Sequence, residues 1–127
     1  MLKTNGHSLV SKKGKGKVVL FFPTYEYERD NWMPFPYLYL APFIEKAGFE
    51  VCIIDSRVEP TWEEMLKKEL KDSFALGITS MSGPDLIAAT RASQIARDMD
   101  NDICLIWGGH HVSALPDEVF NEDYADF

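Results

Sequence analysis

Three short stretches of this 127-residue chain gather side chains and backbone able to hold a ligand. Pro23-Thr24-Tyr25 opens a polar and aromatic loop that runs to Phe35. Thr79-Ser80-Met81-Ser82-Gly83-Pro84 is rich in hydroxyls, and Gly108-Gly109-His110-His111-Val112-Ser113 pairs two glycines with two histidines. The hydroxyls of Thr79, Ser80 and Ser82 can hydrogen-bond a ligand or cap the helix that follows. Gly108 and Gly109 let a bulky ligand approach the backbone, or simply form a tight strand-to-helix turn. In the first case Gly109→Val abolishes binding and spares the fold; in the second it strains the fold. His110 and His111 are ligands or ordinary loop residues. Neighbouring histidines do not readily share one metal, and no third ligand is in view. Tyr25, Tyr27, Trp32, Phe35, Tyr37 and Tyr39 can wall a large apolar cofactor or fill a core.

Other chemistries lack their residues. No GxGxxG follows the first strand and no GxxxxGK[ST] occurs, which removes the dinucleotide and triphosphate fingerprints. The loop after the first strand lacks the Ser/Thr/Gly composition of a flavin mononucleotide site. No Ser/His/Asp or Cys/His set has suggestive spacing, so no catalytic residue is assigned. Cys52 and Cys104 sit in the apolar runs FEVCIID and DICLIW, as small buried hydrophobes. Neither joins a CxxC or Cys/His cluster, and no metal ligand set or disulfide is expected.

The elements that position these stretches follow from hydrophobic patterning. Strands are expected at Lys17 to Phe22, Phe49 to Ile54, Phe74 to Ile78 and Ile103 to Trp107. Helices are expected over Tyr37 to Ala47, after Thr61, from Pro84 or Asp85 to about Met99, and from Pro116. Leu38, Ala41, Ile44 and Glu45 divide the first helix into an inner and an outer face, and Lys46 and Gly48 supply its stop signals. Thr61 and Glu64 form a capping box for the second. Gly108 to Leu115 reads as a loop. Strand–helix alternation with continuous apolar strands predicts an α/β, Rossmann-like (flavodoxin-like) doubly wound parallel sheet. The expected order is 2-1-3-4-5, with a fifth strand only beginning at Tyr124 to Phe127. The edge of the fourth strand is then left unpaired, and self-association is expected through it or through an adjacent apolar face that a following domain would cover. Ligands of such sheets bind beyond the carboxyl ends of the strands, where all three stretches lie.

Charge narrows the partners. Residues 1–17 hold five lysines and no acid, and the remainder carries 8 basic and 20 acidic side chains, a formal −12. That body offers no basic face for nucleic acid. Residues 1–16 are expected to be a flexible basic tail, in part vector-derived, and residues 17–127 the domain proper. No apolar run approaches the roughly 20 residues of a membrane helix, and no secretory signal is present. A cytoplasmic address is expected.

Taken together, PYLYLAPFIEKAGFEVCIID, ALGITSMSG and IWGGHHVSALPDEVF…YADF make the chain resemble a known family. It is similar to the N-terminal cobalamin-binding domain of class B radical S-adenosylmethionine (SAM) proteins. These include the anaerobic magnesium-protoporphyrin monomethyl ester cyclase type and many methyltransferases. The most specific string is GG-x-H-x-S-x-x-P-[DE]-E, carried by Gly108, Gly109, His111, Ser113, Pro116, Asp117 and Glu118. The resemblance implies cobalamin contacts from Pro23, Thr24, Tyr25, Thr79, Ser80, Met81, Ser82, Gly108, Gly109, His111 and Ser113. The wider B12-binding superfamily has DxHxxG after the first strand, then SxL and GG. Here Thr79-x-Met81 stands for SxL, and no DxHxxG exists, so no histidine ligand to cobalt is expected. The resemblance further implies a larger parent enzyme, of methyltransferase or oxidative cyclase type. Its C-terminal barrel would carry SAM and a [4Fe-4S] cluster, with no catalysis by this part alone. The alternative is a degenerate Rossmann-like module without cofactor that serves in domain docking. A receiver-like domain ranks last, because its acidic pair and its aspartate after the third strand are missing.

Overall fold

A computed structural model describes residues 15–24 and 34–127. Tyr25, Tyr27, Trp32 and the lysines before Lys15 lie outside the described residues. Four parallel strands, β1 (Lys17–Phe22), β2 (Glu50–Asp55), β3 (Ser73–Thr79) and β4 (Cys104–Gly108), pair in the order β2-β1-β3-β4. Crossing between them are α1 (Phe35–Lys46), α2 (Trp62–Leu70) and α3 (Asp85–Met99), followed by α4 (His110–Ala114) and α5 (Pro116–Asn121). The expected doubly wound sheet is therefore present, with each strand within about a residue or two of its sequence-based bounds.

Alternation along the strands splits the interior in two. Val19, Phe21, Leu76, Ile78, Leu105 and Trp107 face α2 and α3 and build the larger core. Val18, Leu20, Ala75 and Cys104 face the other way, toward α1. Among the described residues, α1 alone covers that second face, on the β1 side, and Ile106 of β4 is 39% exposed.

Several local expectations need correction. The inner face of α1 is built on Tyr37 and Ile44, and Leu38 is 40% exposed. Helix α1 nonetheless stops as its sequence dictates, with Lys46 in the last turn and Gly48 at φ +98°. Thr61 precedes α2 without a side-chain cap bond; its carbonyl, instead, accepts from the amides of Glu64 and Met65. The stretch read as a loop from Gly108 to Leu115 contains α4. A backbone turn at Gly109, φ +97°, redirects the chain into that helix.

The edge of β4 is also not bare. The Phe127 amide donates to the Leu105 carbonyl and the Trp107 amide donates to the Phe127 carbonyl, at 3.2 and 2.8 Å. This is the bonding pattern of a parallel ladder. The Asp126 amide reaches the Leu105 carbonyl at 2.8 Å, and its carboxylate takes the Leu105 amide at 2.9 Å. Of the two expected routes to self-association, the one through an unpaired β4 edge thus loses its basis. Arg97 fixes the arrangement by gripping both Asp126 oxygens, at 3.1 and 3.3 Å.

Candidate functional site

The carboxyl ends of β1, β3 and β4 open into a cleft of about 720 Å3 under α1. Its floor is the second sheet face, with Leu20, Gly77 and Ile106, and its wall is the side of α1 that carries Phe35, Leu40 and Ile44. Gly77 keeps the floor low: a Cβ there would press to 2.9 Å from the Leu20 side chain.

One side chain holds wall and floor together. The buried Tyr37 hydroxyl donates to the Phe21 carbonyl at 2.6 Å and accepts the Thr79 amide. It stands between the ends of β1 and β3, where strand order reverses, and bridges groups that face each other across the ladder. Burial pushes this phenol well above its ordinary range, so it stays a neutral donor. Tyr37→Phe strands a buried carbonyl and amide, and is expected to cost about 1–3 kcal/mol at neutral pH. In the unfolded chain the phenol ionises near pH 10, so its contribution is full below that value and lost above it. The stability gap between the native protein and Tyr37→Phe should therefore narrow above about pH 10. Urea unfolding at pH 7 and pH 10.5 checks both statements; a gap that widens with pH contradicts the assignment.

Two loops form the rim. Ser80 donates from both its amide and its hydroxyl to the Gly108 carbonyl, at 2.9 and 3.1 Å. The His111 amide returns a bond to the Ser80 carbonyl at 3.2 Å, and the His111 ring meets the Ser82 hydroxyl at 3.0 Å. These bonds stitch the β3 and β4 loops into one plate. Neither Ser80 nor Ser82 caps α3, which begins without a side-chain cap bond.

The paired glycines divide their work. A Cβ on Gly109 would lie 2.6 Å from the Ser80 carbonyl oxygen and 2.9 Å from the Thr79 hydroxyl, at a backbone φ of +97°. The protein's own β3 loop occupies that space. A Cβ on Gly108 meets nothing within 4 Å and would enter the cleft. Close approach by a ligand is thus available at Gly108, and the tight turn is the work of Gly109.

The other sequence candidates are placed unevenly. Pro23, Thr79, Ser80, Met81, Gly108 and Gly109 line the cleft. Thr24 is tied aside, its amide donating to the Ser56 hydroxyl at 2.7 Å. His111 is buried behind the rim, with Ser82 on one ring nitrogen and Glu118 3.5 Å from the other. Ser113 is exposed on α4 and bonds back to the Gly109 carbonyl at 2.8 Å. Ser82, held by His111, is outside the lining. Tyr25 is outside the described residues.

Asp85, at the start of α3, lines the cleft and escaped the sequence reading as a site residue; His110, at the start of α4 and weighed there only as a ligand or a loop residue, lines it too. Consecutive helical residues point about 100° apart, so only one histidine of the pair can face the cleft. That angle was the available signal once a helix was recognised at His110. Asp55 ends β2, near where a dinucleotide fold places its ribose-binding acid. Here Arg57 occupies both carboxylate oxygens, at 2.9 and 2.7 Å, and lies over the Phe22 ring at 4.5 Å.

Comparison with known proteins adds a family and a distant relative. The family described as B12 binding domain matches residues 29–127. The anaerobic magnesium-protoporphyrin IX monomethyl ester cyclase of Rubrivivax gelatinosus is 28% identical over 96 residues. That alignment covers 72% of this chain and 17% of the cyclase, so the chain spans about a sixth of that relative's length. No solved structure matches. Among the described residues, no helix is long and apolar enough to cross a membrane.

Proposed function

The chain belongs to the B12-binding domain family, and on that premise we propose that it holds cobalamin in the cleft beneath α1. The observation that carries the reading is the cleft itself, whose lining takes in residues of all three stretches that the sequence singled out: Pro23, then Thr79, Ser80 and Met81, then Gly108, Gly109 and His110. Its volume falls within the roughly 300–1,000 Å3 of small-molecule sites. Its long apolar floor and wall suit the nucleotide tail of the cofactor, and the Thr79 hydroxyl stands at the polar end. The open space above Gly108 suits the edge of a large flat ring. When bound, cobalamin supplies a methyl group or electrons, and the protein supplies orientation and exclusion of water.

The larger role rests on the resemblance to radical SAM proteins and on the cyclase relative. In this reading the domain presents the corrin to a C-terminal barrel carrying SAM and a [4Fe-4S] cluster. The parent would then be a methyltransferase or an oxidative cyclase, with catalysis outside these residues.

Equilibrium dialysis against hydroxocobalamin tests the first step. One equivalent should be retained, and ligand at a hundredfold excess over Kd should add about 2.7 kcal/mol of stability. Free exchange of the cofactor and an unchanged melting temperature would instead favour the docking module without cofactor.

A further inference from the structure

The lining of the cleft is divided by chemistry. Side chains with heteroatoms collect at the rim: Thr79, Ser80, Met81, Asp85 and His110, in the β3 and β4 loops and the helices they start. Beneath α1 the lining changes. The floor there is Val18, Leu20, Gly77 and Ile106, and the wall is Leu40 and Ile44. None of these six residues has a side chain able to hydrogen-bond.

One polar side chain does reach this part, Tyr37, and it is committed. Its hydroxyl donates to the Phe21 carbonyl and accepts the Thr79 amide. The backbone of the floor is engaged as well. Strands β1 and β3 are each paired on both sides, and the Leu105 carbonyl and Trp107 amide of β4 are taken by Phe127. Among the described residues, floor and wall thus offer a guest apolar surface and no uncommitted polar side chain.

Cobalamin is one of a class of cobamides that differ in the lower base ending the nucleotide tail. Its own base is dimethylbenzimidazole, whose carbocycle and two methyl groups ask only for apolar contact. Adenine in its place carries two further ring nitrogens and an amino group. Buried against this lining, those groups lose their water and gain no partner. We propose that the cleft selects cobamides by their lower base, taking dimethylbenzimidazole over adenine, with Leu20, Leu40, Ile44 and Ile106 as the specificity-determining side chains. This deepens the cobalamin reading and rests on it, and the test separates the two.

Equilibrium dialysis of the full chain compares cobalamin, its adenine analogue and cobinamide, which lacks the nucleotide. All three are used as dicyano forms, in which cyanide holds both axial positions of the cobalt and leaves either base free. Cobalamin is expected to bind about 10- to 100-fold more tightly than the adenine form, and more tightly than cobinamide. Leu40→Gln brings a donor and an acceptor to the wall. That position is 47% exposed and glutamine is a good helix former, so the fold tolerates the change. The ratio between the two cobamides should narrow several-fold. Ile106→Thr, on the floor and at a strand position that suits threonine, should narrow it too. A loss of stability weakens both ligands alike and leaves the ratio unmoved. Equal affinity for the two cobamides, a ratio unmoved by both variants, or cobinamide bound as tightly as cobalamin overturns the selectivity and leaves the cobalamin reading standing. Retention of none of the three overturns both.

Discussion

Gly109→Val is expected to destabilise the domain strongly, and Gly108→Val to leave it as stable as the native chain but unable to hold cobalamin. The two positions are adjacent, and their surroundings are opposite. At 109 the added carbon would meet the Ser80 backbone at 2.6 and 2.9 Å, on a residue already at φ +97°. A non-glycine residue in such a conformation costs about 1–3 kcal/mol by itself, and displacing Ser80 also breaks its bonds to Gly108 and His111. A total above about 3 kcal/mol corresponds to a fall of more than about 10 °C in melting temperature for a domain this size. At 108 the backbone is one that any residue adopts, and the side chain would enter open cleft. Thermal unfolding by circular dichroism and dialysis against hydroxocobalamin, run on both variants, give the answer. If Gly108→Val still retains the cofactor, the corrin does not pass over this backbone and the proposed seat is wrong.

The second large effect is expected at Asp126. Its carboxylate is 7% exposed and takes the Leu105 amide while pairing with Arg97, itself 13% exposed. Breaking such a buried pair from one side typically costs about 3–5 kcal/mol, because the other charge is left uncompensated. What remains to Arg97 is weaker: an ion pair at 3.5 Å with the exposed Asp123 and a bond to the Ile103 carbonyl at 3.0 Å, while its Nε is buried without a hydrogen-bond partner among the described residues. Asp126→Ala removes the buried charge partner of Arg97 and the acceptor of the Leu105 amide together, freeing the edge of β4. Asp126→Asn keeps an acceptor of the same shape and removes only the charge. Both variants should lose stability in urea, the alanine more. Only the alanine should associate, as read by light scattering at high concentration. Equal association by the two would show that charge, and not the exposed edge, keeps the native chain apart.

Much of this was legible in the sequence. The runs VVLFF, VCIID and ICLIW are apolar without alternation, which only a sheet covered on both faces tolerates, and the strand order followed from topology. Both stop signals of α1 held. What escaped was whatever depended on contacts between distant segments. Nothing local distinguishes Gly108 from Gly109; the difference is the Ser80 backbone, about thirty positions away. Nothing in ITSMSG announces that Ser80 turns toward β4 and Ser82 toward His111. The single-turn α4 is too short to show a period, and without it the two histidines could not be told apart. The closure of the β4 edge was missed for a similar reason: a carboxylate that takes a ladder amide leaves no apolar pattern.

The stitched rim has a kinetic meaning. Four hydrogen bonds lock the β3 and β4 loops to each other, whereas α1 buries a single side chain, Tyr37, against the sheet. Insertion of a long appendage beneath α1 therefore strains the helix before it strains the rim. On that footing the loops are the fixed jaw of the cleft and α1 the one expected to yield. If cobalamin is held as proposed, its entry and release are expected to be timed by the opening of that helix, which the bonds of Tyr37 to Phe21 and Thr79 oppose.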